Sequence, residues 1–439
     1  MSIRVASSIV LLLLAGSAVA QGRTDYGKDL RFAVDELGTQ CRELIELKDI
    51  DWRKATAPLL AESRKVKTDA EHMVLLQRLL ARLHDGHAEL RPLEKGKDVR
   101  AEWPDRSAGP GLFLCRAQGR LFVKNAWGDA KAAGLEPGME IVKVDDQPAA
   151  KWFERRVTTL CDLLSFSTPQ QAFFFACHQG LADAPGTRVA FELRDADGQS
   201  KKRTLTWGKA NQTPFGPAFP PPGLTSTKDL HFGRTAQGFG YVHVRRCKED
   251  VVAQLDEALA TLEGFPGLIL DFRGNSGGGF DHDAFFGRFL ARGKTWRGGG
   301  GEYRSAGDHP YAGPLVVIVD ATVRSAGETA AGMFQEDGRA FSIGESATAG
   351  MSSQKTTIEL PSGLFALYVS IASNKARFQG GKGIEGIGVI PMEIVEFDAA
   401  DLAQERDTLI ARAEALFADW PKEKVRYVPE EMGWAKPGK

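Results

Sequence analysis

The spacing of apolar residues divides the chain into three parts with different patterns. Between about residues 25 and 92, apolar residues recur every three or four positions, as in FAVDELGTQCRELI and HMVLLQRLLARL, which predicts amphipathic helices. Between about 108 and 208, short apolar runs such as GLFLCRA and RVAFELRD alternate with glycines and polar turns, which predicts a β-rich domain. After the proline-rich stretch FGPAFPPPG, typical of a semi-rigid linker, the pattern becomes that of an α/β domain.

The C-terminal part predicts a sheet whose strands are joined by crossover helices. FGYVHV reads as a strand, KEDVVAQLDEALATLEGF as an amphipathic helix and PGLILDF as a second strand, which gives a β-α-β crossover. PLVVIVD and LFALYVSIA are further strand candidates, because continuous apolar runs suit a sheet that is covered on both faces. AADLAQERDTLIARAEALFADW is expected to close the chain as one amphipathic helix.

Composition and charge narrow the class of protein. The apolar fraction of 43% and the charged fraction of 26% are those of an ordinary globular protein, and the net charge is −1. Without a basic face, a nucleic-acid partner is not expected. The N-terminus has one arginine, a short apolar stretch and Ala-Val-Ala before Gln21, which predicts a secretory signal peptide over residues 1–20. We therefore expect a periplasmic or secreted protein without stable membrane insertion after the signal is removed.

The five cysteines allow limited conclusions about redox chemistry. An odd number in an exported protein leaves at least one thiol unpaired, and Cys161 and Cys177 are plausible disulfide partners. No CxxC motif occurs, so the sequence excludes a zinc knuckle and a thioredoxin-type site.

Two loops that follow predicted strands could carry chemistry. RGNSGGGF (273–280) follows PGLILDF, and its glycines could present backbone N–H groups to a phosphate or to an oxyanion. The lysine of a phosphate-binding P-loop is missing, which disfavours the phosphate. Ser325 lies where PLVVIVD gives way to a helix of small residues, so it is either an ordinary N-cap or a nucleophile at a positive helix end. The residues alone leave both interpretations open.

A serine nucleophile needs a base, and the chain offers several. The first lysine after GESATAGMSSQ is Lys355, and the α/β part contains His231, His243, His282 and His309. The strongest candidate is HDGH (84–87), where a polar sequence ends an apolar helix. A metal site at His84 and His87 would need at least one further ligand, and no nearby pattern supplies it.

Residues from about 228 to 396 resemble the catalytic domain of the C-terminal-processing (tail-specific) serine protease family. The resemblance lies in GYVHV, LILDFRGNSGGG, VVIVDATVRSAGE and DGRAFSIGE, in matching order and spacing. AGLEPGMEIVKVDDQP resembles the core of a PDZ domain, which the family carries. One branch of the family uses a Ser-Lys dyad, and Gly350 stands in the place of its lysine, so that dyad is absent.

The order of domains is similar to the other branch, that of the tricorn core and the retinoid-binding-protein-like members. This resemblance implies His87 as the base, Ser325 as the nucleophile and, from EGIGVIPM, Glu385 as the orienting carboxylate. Two positions depart from the branch: Met392 replaces an aspartate, and Gly86 replaces a serine that bridges the histidine and the carboxylate. The link between His87 and Glu385 is therefore expected to be direct or through water.

The triad mechanism also requires an oxyanion hole. We expect the oxyanion to be met by the N–H of Ala326 and by one N–H from Gly277 or Gly278.

The predicted fold is an α/β catalytic domain of the ClpP/crotonase type with β-α-β crossovers, an N-terminal helical region and an inserted β-rich PDZ-like domain. The boundaries are 1–20 for the signal peptide, 21–107 for the helical region that carries His87, 108–208 for the PDZ-like domain, 209–227 for the linker and 228–439 for the catalytic domain with its C-terminal helix.

The predicted function is that of an exported serine endopeptidase that acts on peptides or unfolded proteins and recognises chain ends through the PDZ-like domain. The alternative is a catalytically silent ligand- or peptide-binding protein on the same fold, because a fold alone does not fix a function. No cofactor and no metal are expected. The sequence does not predict the oligomeric state.

Overall fold

A computed structural model of the chain describes residues 25–101, 103–208 and 216–425. The predicted signal peptide and residues 209–215 of the predicted linker lie outside the described residues.

The described chain begins with helices that lead into the HDGH motif. They are α1 (Tyr26–Gln40), α2 (Arg42–Leu47), α3 (Trp52–Glu62) and α4 (Asp69–Ala81), followed by strand β1 (Glu89–Pro92). Helix α4 starts at a capping box, in which the Thr68 side chain accepts from the backbone N–H of Glu71 and the Glu71 side chain accepts in return. The apolar face of α4 is buried, which orients the helix and so places HDGH at its end.

The β-rich part forms a sheet with its own apolar core. Its elements are β2 (Leu112–Ala117), β3 (Arg120–Ala126), α5 (Gly128–Ala132), β4 (Glu140–Val144), β5 (Gln147–Pro148), α6 (Ala149–Leu163), α7 (Pro169–Ala176), β6 (Arg188–Arg194) and β7 (Ser200–Thr206). The strands pair in the order β2-β3-β4-β6-β7, with β5 paired to β4. The α6–α7 loop (residues 164–168) connects its two longest helices and extends towards HDGH.

The C-terminal part contains the main sheet, and the predicted β-α-β crossover is confirmed. Its elements from residue 225 to residue 344 are β8 (Thr225–Ser226), β9 (Leu230–Arg234), β10 (Gly240–Val244), α8 (Val251–Thr261), β11 (Leu268–Asp271), α9 (His282–Gly287), β12 (Thr295–Arg297), β13 (Glu302–Arg304), β14 (Leu315–Val319), α10 (Ala326–Glu336) and β15 (Phe341–Gly344). Strands β10, β11, β14 and β15 are parallel neighbours, so the loops after β11 and β14 meet at one edge.

The predicted strand LFALYVSIA is confirmed, but its position was not predicted. LFALYVSIA does form a strand, but outside the main sheet: β16 (Ser353–Glu359) and β17 (Phe365–Ser373) make a separate antiparallel sheet in the order β1-β17-β16. Strand β18 (Glu393–Ile394) then completes the main sheet next to β15. The N-terminal helices cover the small sheet, which explains why β17 is apolar.

The predicted single C-terminal helix is two helices, α11 (Ala399–Ala403) and α12 (Thr408–Ala418). The break has a physical reason in Asp407. Its carboxylate caps α12 by accepting from the N–H groups of Leu409 and Ile410, and it also forms a buried ion pair with Arg273, 2.9 Å away. Arg273 is the first residue of the glycine loop, so this ion pair fixes the loop to the C-terminal helix.

All five cysteines are free thiols, so Cys161 and Cys177, which the sequence makes plausible partners, do not form a disulfide. Within residues 25–101, 103–208 and 216–425, none of the helices has the length and apolar character needed to cross a bilayer.

A buried ion pair joins the sheet of the β-rich part (β2 to β7), called the inserted domain below, to the C-terminal part of the chain. Lys124 on β3 is fully buried, and its Nζ lies 2.7 Å from Oε2 of Glu345, just after β15. The ammonium also lies 4.6 Å, 5.4 Å and 4.3 Å from the ring centres of Phe113, Phe174 and Phe397. Burial opposes its charge, but Glu345 raises the pKa of Lys124 above its usual value, so the ammonium stays charged.

Breaking this pair should therefore destabilise the protein. We expect Lys124→Met to lower the free energy of unfolding by about 3–5 kcal/mol, because Glu345 is left buried without a counter-ion. Urea denaturation measures the change. Lys97→Met is the control, since Lys97 pairs with Glu94 on the surface and its loss should cost less than about 1 kcal/mol. Equal stability of the two variants would show that the buried pair does not hold the domains together.

Candidate active site

The HDGH motif forms a tight turn at the end of α4, and Asp85 fixes its shape. His84 has a positive φ of 48° and an exposed side chain. The buried carboxylate of Asp85 accepts from the backbone N–H of His87 at 2.9 Å, and from the N–H and hydroxyl of Ser370 on β17 at 2.7 Å and 2.9 Å. Asp85 therefore attaches the residue that carries the imidazole to the small sheet.

The α6–α7 loop of the inserted domain holds the same turn from the other side. The Ser165 hydroxyl accepts from the backbone N–H of Asp85 at 2.9 Å. The Ser167 hydroxyl accepts from the N–H of Gly86 at 2.8 Å and donates to Oε1 of Glu385 at 3.2 Å. One hydroxyl thus contacts both the HDGH turn and the carboxylate predicted to orient His87.

The packing around Gly86 leaves little room for a side chain at this position. A Cβ on Gly86 would lie 2.7 Å from Cγ and Sδ of Met351 and 2.9 Å from Nε2 of Gln171. A serine at position 86 would therefore require Met351 to move. Ser167 supplies a hydroxyl to this region from a different element of the chain.

Ser325 sits at the junction of the loop after β14 and helix α10, in a strained backbone conformation. Its φ of 52° and ψ of −123° are rare for a residue with a side chain, and such strain is concentrated at functional sites. The buried carboxylate of Glu328 accepts from the N–H groups of Ser325, Gly350 and Met351 at 2.9 Å, 2.7 Å and 2.8 Å. Burial raises the pKa of Glu328 to about 7.

The glycine loop packs directly against Ser325. A Cβ on Gly277 would lie 2.9 Å from Cβ of Ser325, and both Gly277 and Gly278 have positive φ values of 82° and 138°. The N–H of Gly277 already donates to Oδ1 of Asn275 at 2.8 Å. The N–H groups of Gly278 and Ala326 have no hydrogen-bond partner in the described part of the chain. Two uncommitted donors therefore flank Ser325.

Glu385 is fully buried, and only one of its oxygens is occupied. Oε1 accepts from Nζ of Lys48 at 2.7 Å and from Ser167, whereas Oε2 is buried without a partner among the described residues. Burial raises the pKa of Glu385, and Asp85 raises it too, while Lys48 and Ser167 lower it. Lys48 also donates to the backbone carbonyl of His84 at 2.6 Å.

His87 has a half-buried imidazole with a low proton affinity. Burial and the positive charges of Lys355, Lys48 and Arg324 lower the pKa of His87 to about 4, while Asp85 raises it. The ring is therefore neutral at neutral pH and able to accept a proton. Its Nδ1 is buried without a partner among the residues described.

The structure brings the three predicted catalytic residues into one region without joining them directly. The hydroxyl of Ser167 contacts both Glu385 and the HDGH turn. Glu328, which accepts from the backbone of Ser325, also accepts from the N–H of Met351, and the Met351 side chain packs against Gly86. No hydrogen bond links the imidazole of His87 to Ser325 or to Glu385.

Sequence reasoning missed Lys48 and Ser167. Neither lies in a motif, and each meets Glu385 only after the chain has folded, at separations of 337 and 218 residues. No group of three or more His, Cys, Asp or Glu side chains within the described ranges is placed to hold a metal ion.

Comparison with known proteins gives the family. Residues 238–395 match peptidase family S41. A carboxyl-terminal-processing protease of Synechocystis sp. is 23% identical over 348 residues, which cover 76% of this chain and 73% of that protein. The chloroplastic C-terminal processing peptidase of Tetradesmus obliquus is 30% identical over 275 residues, which cover 60% of this chain but only 54% of that protein.

Among solved structures, mature CPAF has a similar fold, with a TM-score of 0.65 at 12% sequence identity over 91% of this chain and 98% of that chain. The likeness extends beyond the matched domain to the helical and inserted parts. The chain therefore carries a peptidase family S41 domain and is homologous to the carboxyl-terminal-processing proteases, which are serine peptidases.

Proposed function

We propose that the protein is an exported serine endopeptidase in which Ser325, His87 and Glu385 form the catalytic triad. The observation that carries this proposal is the strained backbone of Ser325, placed between two backbone N–H groups that bind nothing else in the described chain. An ordinary N-cap serine needs neither a strained backbone nor free N–H groups beside it. A nucleophile needs donors for an oxyanion, and backbone strain is concentrated at functional sites.

In the proposed reaction, neutral His87 accepts the proton of Ser325 as Oγ attacks the carbonyl carbon of a peptide bond. The carbonyl oxygen becomes an oxyanion, which accepts hydrogen bonds from the N–H groups of Ala326 and Gly278. Gly277 serves this role less well, because its N–H is bound to Asn275. His87 then protonates the leaving amine, and a water molecule hydrolyses the acyl-enzyme.

Glu385 is proposed to orient the imidazole and to stabilise its charged form. His87 Nδ1 and Glu385 Oε2 are both buried and unpartnered in the described chain. With a proton on Nδ1, the imidazole is a donor and the carboxylate oxygen is an acceptor, so each atom could satisfy the other. We propose that a bridging water or a rotation of the ring joins them during catalysis.

The inserted domain is proposed to recognise the ends of polypeptide chains. A cleft of about 900 Å³ lies between its sheet, helices α6 and α7 and the C-terminal domain, with Arg116 and Arg120 beside the apolar side chains of Phe153 and Val157. The edge strand β2 is partly covered, because the N–H of Leu114 donates to the carbonyl of Cys177 at 2.9 Å. We therefore expect a chain end to bind in the cleft.

A second candidate function is peptide binding without turnover on the same fold. One observation favours it, namely that no hydrogen bond joins His87 to Ser325 or to Glu385. The experiments below separate the two functions, because a binding protein would not hydrolyse a substrate.

Replacing the nucleophile should abolish hydrolysis. We expect Ser325→Ala to lower the rate of cleavage of fluorescently labelled casein by at least about 10³-fold, with the circular dichroism spectrum unchanged. Ser200→Ala, at an exposed position on β7, is the control and should cleave at the wild-type rate. Equal cleavage by wild type and Ser325→Ala would exclude the serine mechanism, and a wild type without activity would favour the binding protein.

The two histidines of HDGH should differ sharply. We expect His87→Ala to lose about as much activity as Ser325→Ala, because nothing else then accepts the serine proton. His84→Ala should retain most of it, since the His84 side chain is exposed and only its backbone carbonyl is used. Casein cleavage measures both, and a greater loss in His84→Ala would show that the base has been assigned to the wrong histidine.

The pH dependence should respond to Lys355. His87 works as a base in its neutral form, so activity is lost as the pH falls through its pKa, which is about 4. Removing the positive charge in Lys355→Gln makes the imidazolium more stable, raises the pKa of His87 and moves the acid limb of kcat/KM to higher pH. Lys97→Gln, on the surface, should leave the limb in place. A Lys355→Gln profile identical to wild type would contradict the assignment of His87.

A further inference from the structure

We propose that Lys48 and Ser167 are positioning residues that together hold Oε1 of Glu385, so that Oε2 is the oxygen presented to His87. This inference rests on the proposed peptidase function and deepens it. It also assigns a role in catalysis to one residue of the N-terminal helical region and one of the inserted domain.

The contacts at the two carboxylate oxygens differ completely. Oε1 accepts from Lys48 Nζ at 2.7 Å and from Ser167 Oγ at 3.2 Å, and Oε2 has no partner in the described chain. The Lys48 side chain is only 5% exposed and that of Glu385 is 0% exposed, so water does not compete for these bonds as it would at a surface. A buried acceptor without a partner is costly, which points to a donor that arrives during function.

Each of the two donors also contacts the HDGH turn. Lys48 Nζ donates to the carbonyl of His84 at 2.6 Å, and Ser167 Oγ accepts from the N–H of Gly86 at 2.8 Å. Both residues therefore bridge Glu385 to the turn that carries His87, from two different elements. Two bridges of fixed length restrict both the distance and the rotation of the carboxylate relative to the imidazole.

The residue after Glu385 is a glycine, Gly386, and its backbone lies against the side chain of Lys48. Gly386 has a positive φ of 74°, and a Cβ there would lie 2.9 Å from Cε of Lys48. A residue with a side chain at this position would collide with the lysine. The glycine of the EGIGVIP motif thus has a packing reason in this chain.

Lys48 also lowers the pKa of Glu385. Burial raises the pKa of Glu385, and the neighbouring carboxylate of Asp85 raises it further. Lys48 is the positive charge that opposes both effects, with help from the hydrogen bond of Ser167. The imidazolium of His87, once formed, is the other charge that would face this carboxylate. Without Lys48, the pKa of Glu385 would be higher still, and the carboxyl group would be less able to stabilise that imidazolium.

The first arm of the test compares two serines of the same loop. Ser165 and Ser167 both accept from a backbone N–H of the HDGH turn, but only Ser167 contacts Glu385; Ser165 donates to the carbonyl of Leu80 instead. We expect Ser167→Ala to lower kcat about tenfold with KM nearly unchanged, because the lost bond positions a catalytic group. Ser165→Ala should lower kcat less than about threefold. Equal losses would mean that both serines only hold the turn, and the proposal would fail.

The second arm measures pH profiles of Lys48 variants. Lys48 lowers the pKa of both Glu385 and His87, so in Lys48→Met both pKa values rise, and the acid limb of kcat should move to higher pH, with activity recovering as the pH is raised. Lys48→Arg keeps the charge and should return the acid limb towards its wild-type position. A loss in Lys48→Met that is the same at every pH, or an Arg variant with the Met profile, would show a structural role only.

Wild-type turnover of casein separates this inference from the proposed function. If the wild type does not cleave, the peptidase proposal itself is wrong. If the wild type cleaves and the Ser167 and Lys48 variants behave like their controls, only the role of these two residues is wrong.

Discussion

The buried carboxylate of Glu328 is the constraint on which the rest of the site depends. It accepts from the backbone of Ser325 on one side and from Gly350 and Met351 on the other, and from the hydroxyl of Thr348 at 2.5 Å. A fully buried acid is costly unless hydrogen bonds compensate for the lost water, and these bonds do so in part, since burial still raises the pKa of Glu328 to about 7. Because three of the four donors are backbone N–H groups, the acid fixes the course of the chain at Ser325.

The loop held by Glu328 extends this order to the other two site residues. The N–H of Gly386, next to Glu385, donates to the carbonyl of Gly350 at 2.9 Å, and Met351 packs against Gly86 beside His87. The α6–α7 loop of the inserted domain contacts both the HDGH turn and Glu385 through Ser167. The buried ion pair of Lys124 and Glu345 attaches that domain to the C-terminal part of the chain. The site therefore belongs to three parts of the chain at once, although the matched family region contains only two of the proposed triad residues.

Much of this arrangement follows from local sequence, and the reasons for the failures are physical. The glycine loop, Ser325 and HDGH each lie at the end of a regular element with a strong apolar pattern, so their positions along the chain were predictable. The pattern of LFALYVSIA gives a buried strand but not its partners, which are β1 and β16. The pattern of the C-terminal helix contains no sign of the break at Asp407, which depends on an ion pair with Arg273. Lys48 and Ser167 act through contacts that exist only in the folded protein.

The central claim is that Ser325 is an activated nucleophile, and covalent labelling tests it most directly. A fluorophosphonate reacts with a serine that has both a general base and an oxyanion hole, and it leaves other serines unmodified. Mass spectrometry of the digested protein after treatment should show a single adduct, on the peptide that contains Ser325. An absence of any adduct on the folded protein, or an adduct on a different serine, would contradict the account.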